Sequence, residues 1–360
     1  MKTVIHITES LGGGVLTSIK SLCEVQRNSN FEVIIGYLRR PDTPKRAELE
    51  LLFPGIKLIE IWNSNAIGLI KMSFFAVHYL KNNNRVHAHS SWAGFLVRGV
   101  NVFIRTSFCY YTPHSYAHLR TDISKYKKSL FKFIEIVLNL TSKTSVISCS
   151  PTEASIASKL FAHSVAISRN YIKDPKPVFG KMNLSVSKST DNFKVAVVGR
   201  IAHQKNPIRY CKVIQTFDDF VETEWIGSGP LENLLSQNNA RVTGWLGPEE
   251  VSKKISNLDV LLITSEWEGL SMAGIEALSH GIPIISWAYQ GCEDLVIHGF
   301  NGFICHNEAE FIQYIRELHF NSELFIMMKI NAREYFLKNF DQRILYHVWE
   351  KLYEIEPDKM

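Results

Sequence analysis

The chain has 360 residues, of which 46% are apolar, and a formal net charge of +5. This length exceeds what one hydrophobic core usually serves, and the apolar share excludes a disordered chain, so we expect two folded domains. The charge is uneven, because residues 1–180 carry 23 basic and 11 acidic side chains whereas residues 181–360 carry 17 and 24. The basic half could meet an anionic membrane, a phosphorylated ligand or nucleic acid.

Short β-branched apolar runs alternate with helix-length segments, which predicts an α/β protein built from parallel sheets. Seven strands are expected first, near residues 3–7, 31–38, 57–61, 85–89, 107–112, 145–149 and 165–168. A second series is expected near residues 194–198, 222–226, 241–245, 259–264 and 282–287. A Lys-, Ser- and Pro-rich stretch between the two series is typical of a linker. The domains are therefore predicted as 1–172, a linker 173–192, and 193–340.

A glycine run follows the first predicted strand. Gly12, Gly13 and Gly14 precede a helix that we place from about Val15, so the backbone can approach a ligand and present N–H groups at a helix start. This arrangement suits an anion. The run lacks the Gly-x-Gly-x-x-Gly pattern and the sequence contains no Walker A motif, which argues against dinucleotide-binding and P-loop proteins.

Two polar clusters follow later strands of the same predicted sheet. His87 and His89 close the strand at 85–89, and His114 follows the strand at 107–112. Because the carboxyl ends of parallel strands meet at one edge, these histidines are predicted beside the glycine run. Each could instead be a packed, hydrogen-bonded residue. His87 and His89 share one face of their strand and could pair on a metal, but no carboxylate lies nearby in sequence to complete such a site.

A helix near residues 125–140 has two distinct faces. Its apolar residues share one stripe: Tyr126, Leu130, Phe133, Ile134, Val137 and Leu138. Lys125, Lys128 and Lys132 share another face. One interpretation is a helix that packs the stripe against the core and exposes its lysines to water. The alternative is that the basic face, with Phe131 and Ile136, rests on an anionic membrane surface.

In the second half, two cations follow a strand. The strand near 194–198 leads directly into Gly199 and Arg200, and Lys205 stands five positions further on at a helix start. Two cations at a strand-to-helix turn can hold a diphosphate, although surface Arg and Lys side chains are usually solvated. The next strand ends in Gly227-Ser228-Gly229-Pro230, which leaves its turn flexible.

The densest signal is a pair of glutamates eight positions apart. Glu268 follows the strand at 259–264, and Glu276 lies about one turn inside a helix that begins near residues 271–272. Gly274 stands where a capping-box Glu would close this helix, so we expect its first N–H groups to be open to a ligand. A carboxylate accepts two hydroxyl hydrogen bonds, so Glu276 could hold a ribose and Glu268 a sugar. Glu276 could instead only stabilise the helix dipole.

The remaining patterns concern the compartment. Six cysteines are spread through the chain without a Cys-x-x-Cys or Cys/His pattern, which predicts a reducing environment and no zinc. An apolar strand begins at once after the first residues, so no cleavable leader is expected. Arg98 and Arg105 interrupt the longest apolar run, and no membrane span is predicted. We predict a cytoplasmic protein, soluble or peripheral on the inner face of the plasma membrane.

Together these motifs resemble the retaining glycosyltransferases of the GT-B fold, specifically family 4 of the bacterial sugar transferases. The resemblance covers essentially the whole chain and is strongest over Lys194–Cys305. It rests on the glycine run, Gly199-Arg200 with Lys205, Gly227-Ser228-Gly229-Pro230, Glu268 with Glu276, and Gly299-Phe300-Asn301-Gly302-Phe303. It implies two doubly wound Rossmann-like domains facing across a cleft, with a final segment, 341–360, whose helix crosses back to the first domain.

The resemblance also implies roles for individual residues. Arg200 and Lys205 contact the donor diphosphate, Glu276 contacts the ribose, and Glu268 contacts the donor sugar. His114 lies against the donor sugar at the reaction centre. The other donor-binding residues are Gly13, Gly14, Gly199, Gly227, Gly229, Gly269, Leu270, Ser271 and Met272. The residues expected on the acceptor or membrane side are His89, Lys125, Lys128 and Lys132.

The implied reaction moves a sugar from a nucleoside diphosphate sugar to a glycan or lipid-linked acceptor with retention of configuration, a UDP-sugar being favoured over GDP-mannose. The sequence contains no Asp-x-Asp motif, so neither a metal nor another cofactor is expected, and nucleic acid is not an expected partner. O-antigen, capsule or exopolysaccharide synthesis is the expected setting. Two alternatives stay open: a nucleotide-sugar 2-epimerase of the same fold, with Glu9 and Asp122 as acid/base candidates, and a non-catalytic sugar-nucleotide-binding protein.

Overall fold

A computed structural model describes residues 2–29, 31–175, 192–217, 220–343 and 348 of the protein. The described residues form two compact units, each with its own parallel sheet. The first unit comprises those up to Tyr171 together with Arg343 and Val348, and the second runs from Ile172 to Gln342. The predicted linker, 173–192, and the predicted final segment, 341–360, lie mostly outside the described residues.

The first unit is a seven-stranded parallel sheet covered by helices. Its strands are β1 (Thr3–Thr8), β2 (Glu32–Arg39), β3 (Lys57–Asn63), β4 (Arg85–His89), β5 (Cys109–Thr112), β6 (Thr144–Ser148) and β7 (Ser164–Ile167). Its helices are α1 (Gly13–Asn28), α2 (Arg46–Leu52), α3 (Ala66–Lys81), α4 (Ser91–Ile104), α5 (Lys125–Thr141) and α6 (Pro151–Lys159). The strands are hydrogen-bonded in the order β3-β2-β1-β4-β5-β6-β7.

Both faces of this sheet are buried, as its continuous apolar strands require. On one face, Val4 of β1 packs in a cluster with Ile19 of α1. On the other, Ile5 of β1 packs with Met72 of α3 and Val97 of α4. Successive side chains of β1 thus pack against helices on opposite faces of the sheet.

The second unit is a five-stranded parallel sheet. Its strands are β8 (Phe193–Val198), β9 (Val221–Ile226), β10 (Val260–Ile263), β11 (Ile284–Trp287) and β12 (Gly302–Cys305), in the spatial order β12-β11-β10-β8-β9. Its helices are α7 (Pro207–Ile214), α8 (Glu232–Gln237), α9 (Pro248–Ser256), α10 (Met272–Ser279), α11 (Glu308–Phe320) and α12 (Ser322–Asn339). Among the described residues, no helix combines the length and apolar character that crossing a bilayer requires.

Each sheet reverses its strand order once, and the reversal marks a ligand-binding edge in sheets of this kind. In the first unit the reversal lies between β1 and β4, where the glycine run follows β1 and His89 ends β4. In the second unit it lies between β8 and β10, which lead into Gly199-Arg200 and the Glu268 turn. The topology therefore brings each unit's predicted motifs to one edge.

The structure corrects two strand predictions. The strand expected at 241–245 is absent; Val242 and Gly244 form isolated bridges to β9 and the following turn, because Gly244 has a φ of +75° and leaves the extended conformation. Strand β12, which pairs with β11, was not expected. It begins with Gly302, directly after the loop residues 299–301, and glycine is depleted in strands, so the segment does not stand out from a loop in sequence.

Helix α5 presents a different face to the core from the one predicted. Most of its apolar stripe is exposed: Tyr126, Leu130, Phe133 and Val137. Leu138 is buried as expected, but Ile136, which the membrane interpretation placed outward, packs against the core. An ion pair explains this orientation of the helix, because Glu135 faces inward and lies 2.8 Å from the buried Arg98. Both interpretations therefore misplace apolar side chains of this helix, whereas Lys125 and Lys132 are exposed as both expected and Lys128 is half-buried.

Candidate active site

The glycines of the second unit allow the turns after β8 and β9 to approach each other. Gly199 and Gly227 have φ values of +135° and +140°, which L side chains rarely adopt. A Cβ at Gly227 would meet the Gly199 carbonyl, and one at Gly229 would meet the backbone of Ile201. The indole N–H of Trp225 donates to the Gly199 carbonyl at 2.9 Å and fixes this contact. These positions thus require glycine for packing, whether or not a ligand contacts them.

Lys205 and Glu268 form an ion pair at the edge between β8 and β10. The Lys205 Nζ lies 2.7 Å from Glu268 Oε1, and both side chains are largely buried, with 16% and 10% of their surface exposed. Ser265 donates to the same carboxylate at 2.7 Å, and the Gln204 amide donates to it at 3.3 Å. The structure therefore brings together a predicted phosphate-binding cation and the predicted sugar-binding carboxylate, in a pre-ordered network.

A second ion pair, which was not predicted, lies at the same edge of the sheet. Arg209 of α7 lies 2.7 Å from Glu266 and stacks over the ring of Trp287, with its guanidinium carbon 3.5 Å from the ring centroid. Asn206 donates to the same Glu266 carboxylate at 2.6 Å. Because Trp287 ends β11, this stack ties three segments of the edge together. Arg200, at the turn after β8, is exposed.

The start of α10 is less open than the sequence suggests. Ser271 is its N-cap, and the Ser271 hydroxyl accepts a hydrogen bond from the Gly274 N–H at 3.4 Å. The expectation that the N–H groups are open is therefore wrong for Gly274. Leu270, before the helix, is buried, and Met272, its first residue, is half-buried. Both side chains therefore contribute to packing at the start of this helix.

Glu276 lies half-buried in the middle of α10. Burial raises the pKa of its carboxyl above the usual value, and a hydrogen bond with Ser252 acts in the opposite direction. A carboxylate held in a poorly solvated position accepts hydrogen bonds strongly, because water competes less for its oxygens. Its environment therefore suits a group that clamps hydroxyls.

In the first unit, the glycine run opens α1 directly. Gly12 is the N-cap, Gly13 and Gly14 are exposed, and Gly13 has a φ of +52° with no atom within 4 Å of a Cβ placed there. The backbone is thus accessible to a ligand at this helix start. The helix begins two residues earlier than the predicted Val15.

Glu9, beside the glycine run, is committed to a structural role. Its carboxylate accepts hydrogen bonds from the Ala93 N–H at 3.0 Å and the Trp92 N–H at 3.4 Å, at the start of α4. Burial raises the pKa of this carboxyl, and the bonds to Ala93 and Trp92 oppose that rise. Asp122, the other carboxylate considered for acid/base chemistry, pairs with Arg120 at 2.7 Å on an exposed segment.

Three histidines meet end to end at the β1 and β4 edge. His6 Nδ1 lies 2.8 Å from His89 Nε2, and His89 Nδ1 lies 3.0 Å from His114 Nε2. His6 and His89 are fully buried, whereas His114 retains exposed surface. His89 therefore offers no surface to an acceptor, contrary to expectation. His6 was not predicted, because one histidine in an apolar strand gives no signal before its partners are known.

The loop that carries His114 is held in an unusual conformation. His114 and Ser115 have φ values of +52° and +96°, which cost non-glycine residues about 1–3 kcal/mol each. The Glu153 carboxylate accepts the Ser115 N–H at 2.9 Å and the Cys149 N–H at 2.7 Å, which holds this turn in place. Strain of this kind, maintained by a buried carboxylate, is typical of a functional loop.

Comparisons with known proteins identify the family and the fold of the chain. The sequence matches the family described as Glycosyl transferases group 1 over residues 183–335. It is 30% identical to the O-antigen biosynthesis glycosyltransferase WbnH of Escherichia coli, with 65% of this chain and 67% of that protein covered. It is 26% identical to the UDP-Gal:alpha-D-GlcNAc-diphosphoundecaprenol alpha-1,3-galactosyltransferase of Escherichia coli over 71% of each chain.

A solved structure shows the same fold. The Anabaena protein HepE, in complex with UDP and glucose, superimposes with a TM-score of 0.79 over 99% of this chain and 100% of that chain. Because the two sequences are only 14% identical, this comparison supports a shared fold and gives no information about the substrates of this chain. The chain therefore has the same overall fold as that protein.

Proposed function

Because the chain belongs to the glycosyl transferases group 1 and has the GT-B fold, we propose that it transfers a sugar from a nucleoside diphosphate sugar to a glycan or lipid-linked oligosaccharide, with retention of the anomeric configuration. A UDP-sugar is the favoured donor, since one relative is named for UDP-Gal and HepE was solved with UDP. GDP-mannose is the alternative donor. O-antigen, capsule or exopolysaccharide synthesis is the proposed setting, in line with the name of the WbnH relative.

The observation that carries this proposal is the network of Lys205 and Glu268. A largely buried lysine within 2.7 Å of a carboxylate, at the edge where the strand order reverses, is a site for a ligand that is both anionic and rich in hydroxyls. A nucleoside diphosphate sugar has both properties. Exposed Arg200 at the same turn and half-buried Glu276 on α10 provide the further charge and the hydroxyl acceptor that such a donor needs.

In the proposed mechanism, the protein stabilises the leaving group. Arg200 and Lys205 bind the diphosphate, on which charge develops as the bond to the anomeric carbon breaks. The acceptor hydroxyl attacks that carbon from the same face, and the departing phosphate oxygen takes its proton. Glu268 holds the sugar hydroxyls and Glu276 the ribose. His114 contacts the donor sugar, and the two cations supply the charge without a metal ion.

A transfer assay tests the proposal. The purified protein is incubated with a panel of UDP- and GDP-sugars and a sugar linked to undecaprenyl diphosphate, and the lipid product and released nucleoside diphosphate are quantified by mass spectrometry. We expect a product one sugar longer, with the donor's anomeric configuration, from at least one donor. Conversion of a nucleotide sugar to its epimer without acceptor would overturn the proposal in favour of the epimerase, and binding without turnover would favour a non-catalytic protein.

We further propose that α5 rests on an anionic lipid surface, which would bring the enzyme to a lipid-linked acceptor. The exposed stripe includes Tyr126 and Phe133, which are 89% and 62% exposed, and a contiguous exposed apolar stripe rimmed by polar residues marks an interaction surface. Lys125 and Lys132 are exposed beside the stripe, and the neighbouring helices α3 and α4 expose further apolar residues, such as Phe74 and Phe103. An apolar stripe flanked by basic residues favours binding to a lipid surface that carries negative charge.

Reversing three charges on this helix should weaken membrane binding. Lys125, Lys127 and Lys132 are the exposed lysines of α5, whereas Lys128 is half-buried and is left unchanged. With these three lysines changed to glutamate, we expect at least about tenfold weaker binding to vesicles of phosphatidylglycerol and phosphatidylcholine, because each basic residue near such a surface contributes about 1 kcal/mol. Flotation of protein with vesicles is the measurement.

A matched charge change on the second unit is the control for that experiment. Lys212, Lys253 and Lys254 are also exposed, and their change to glutamate alters the net charge equally. We expect this control to bind as the wild type does. Serine at both Leu130 and Phe133 should weaken binding to neutral and anionic vesicles alike. Unchanged binding by both α5 variants would show that this helix is not the docking surface.

A further inference from the structure

Four side chains of the first unit form a continuous hydrogen-bonded chain, the histidine relay: Gln26, His6, His89 and His114. Gln26 Oε1 lies 2.8 Å from His6 Nε2, His6 Nδ1 lies 2.8 Å from His89 Nε2, and His89 Nδ1 lies 3.0 Å from His114 Nε2. It runs from a buried residue of α1, through β1 and β4, to the loop after β5. Both ring nitrogens of His6 and of His89 are used.

The imidazoles of the relay are neutral near pH 7. Burial lowers the pKa of His6 to about 4, with the hydrogen bond to Gln26 acting in the opposite direction, and burial lowers the pKa of His114 to about 4. Burial, followed by the neighbouring histidines, lowers the pKa of His89 well below its usual value. A neutral imidazole has one N–H donor and one acceptor nitrogen. In a chain of neutral rings, the direction of one hydrogen bond therefore fixes the direction of all.

Gln26 sets that direction. Its Oε1 can only accept a hydrogen bond, so His6 donates from Nε2 and must accept at Nδ1. His89 then donates to His6 from Nε2 and accepts at Nδ1 from the Nε2–H of His114. We propose that the histidine relay locks His114 in the Nε2–H tautomer, so that its Nδ1 presents a lone pair that accepts a hydrogen bond from a substrate hydroxyl. Gln26, His6 and His89 are thus positioning residues for His114.

A neighbouring histidine shows why this cluster is a relay and not a metal centre. The nitrogens of His6, His87 and His89 lie within 4.8 Å of one another, which is near the spacing of a metal site. However, His87 Nε2 lies 2.8 Å from the Thr112 hydroxyl, which itself donates to the Ile147 carbonyl, so His87 donates there. The 2.8 Å between His6 Nδ1 and His89 Nε2 is a hydrogen-bond length, whereas two ligands of a tetrahedral zinc lie roughly 3.3 Å apart.

Nuclear magnetic resonance of the wild-type chain tests the relay directly. Two-bond ¹H–¹⁵N correlation spectra distinguish the two neutral tautomers from the imidazolium, with signals assigned through single substitutions. We expect His6, His89 and His114 to be neutral Nε2–H tautomers at neutral pH. A mixture of tautomers at His114, or stoichiometric zinc in the purified protein that displaces these proton signals, would overturn the proposal. This measurement does not depend on sugar transfer, so it stands even if the proposed function fails.

Two substitutions at one position separate the relay from simple packing. His6→Leu removes the acceptor for His89, whereas His6→Asn retains a side-chain oxygen near the place of Nδ1. We expect His6→Leu to give mixed tautomers at His114 and, if the proposed function holds, about tenfold lower kcat with little change in KM. His6→Asn keeps a hydrogen-bond partner for His89 but loses the contact with Gln26, so it should also give mixed tautomers at His114, because its amide can accept from or donate to His89. Folded His6→Leu protein with an unchanged His114 tautomer would contradict the relay.

Discussion

Replacing Lys205 with alanine is expected to lower kcat by about 100- to 1,000-fold while the protein stays folded, because a charged group that faces developing negative charge contributes this much to many transfer reactions. Lys205 is already ordered by Glu268, 2.7 Å away, so its charge needs little rearrangement before reaction. Glu268 keeps its hydrogen bonds from Ser265 and Gln204 in the variant, which limits the loss of stability. Steady-state transfer assays with saturating donor measure the change.

Lys212 provides the matched control for this experiment. It lies on α7, is exposed, and reaches Glu308 only at 3.5 Å, so Lys212→Ala should transfer sugar at the wild-type rate. Glu276→Ala is the comparison for binding, since a ribose clamp should raise the Kd for the nucleotide about tenfold and change kcat less. Wild-type kcat in folded Lys205→Ala protein would remove Lys205 from the mechanism.

The element pattern and the main motifs could be predicted because they depend on local sequence. Eleven of the twelve predicted strands coincide with strands in the structure, since β-branched apolar runs mark buried parallel strands. Glu268 and Lys205 could be placed at one sheet edge because parallel strands end together. The prediction of a strand at 241–245 is wrong because of one residue, Gly244, which takes a positive φ that glycine permits and that interrupts an extended strand.

The residues that support the site could not be predicted for a different reason. His6, Gln26 and Glu153 act through partners from 20 to 83 positions away in the chain, and no spacing rule connects them. Their polar groups are satisfied only when strands and helices meet. A single buried histidine or glutamate in sequence carries no sign of the network to which it belongs.

Helix α5 shows how one buried charge can override apolar periodicity. The apolar stripe alone predicts that Tyr126 and Phe133 face inward, since burying apolar surface is the larger driving force. Arg98 of α4, however, is fully buried and must be paired, so Glu135 faces inward instead. The stripe is therefore left exposed on the outside of this unit. Sequence periodicity cannot reveal this, because the requirement arises on another helix.

That buried pair yields the largest expected effect on stability. Glu135→Leu should lower the free energy of unfolding of the first unit by about 3–5 kcal/mol, because it leaves the Arg98 guanidinium buried without its carboxylate. Asn139, the Gly94 carbonyl and the ring of Tyr111 remain as partners but do not balance its charge. Hydrogen–deuterium exchange in increasing urea, read on peptides from α4 and α5, measures the change in this unit.

A double-mutant cycle separates the loss of pairing from the loss of packing. Arg98→Met combined with Glu135→Leu removes both charges, so the double variant should be more stable than Glu135→Leu alone by about 2 kcal/mol or more. The exposed pair Arg241 and Glu222, also 2.7 Å apart, is the control and should show a coupling energy below about 1 kcal/mol. A coupling at Arg98 and Glu135 as small as that control would mean that apolar contacts, and not this ion pair, set the inward face of α5.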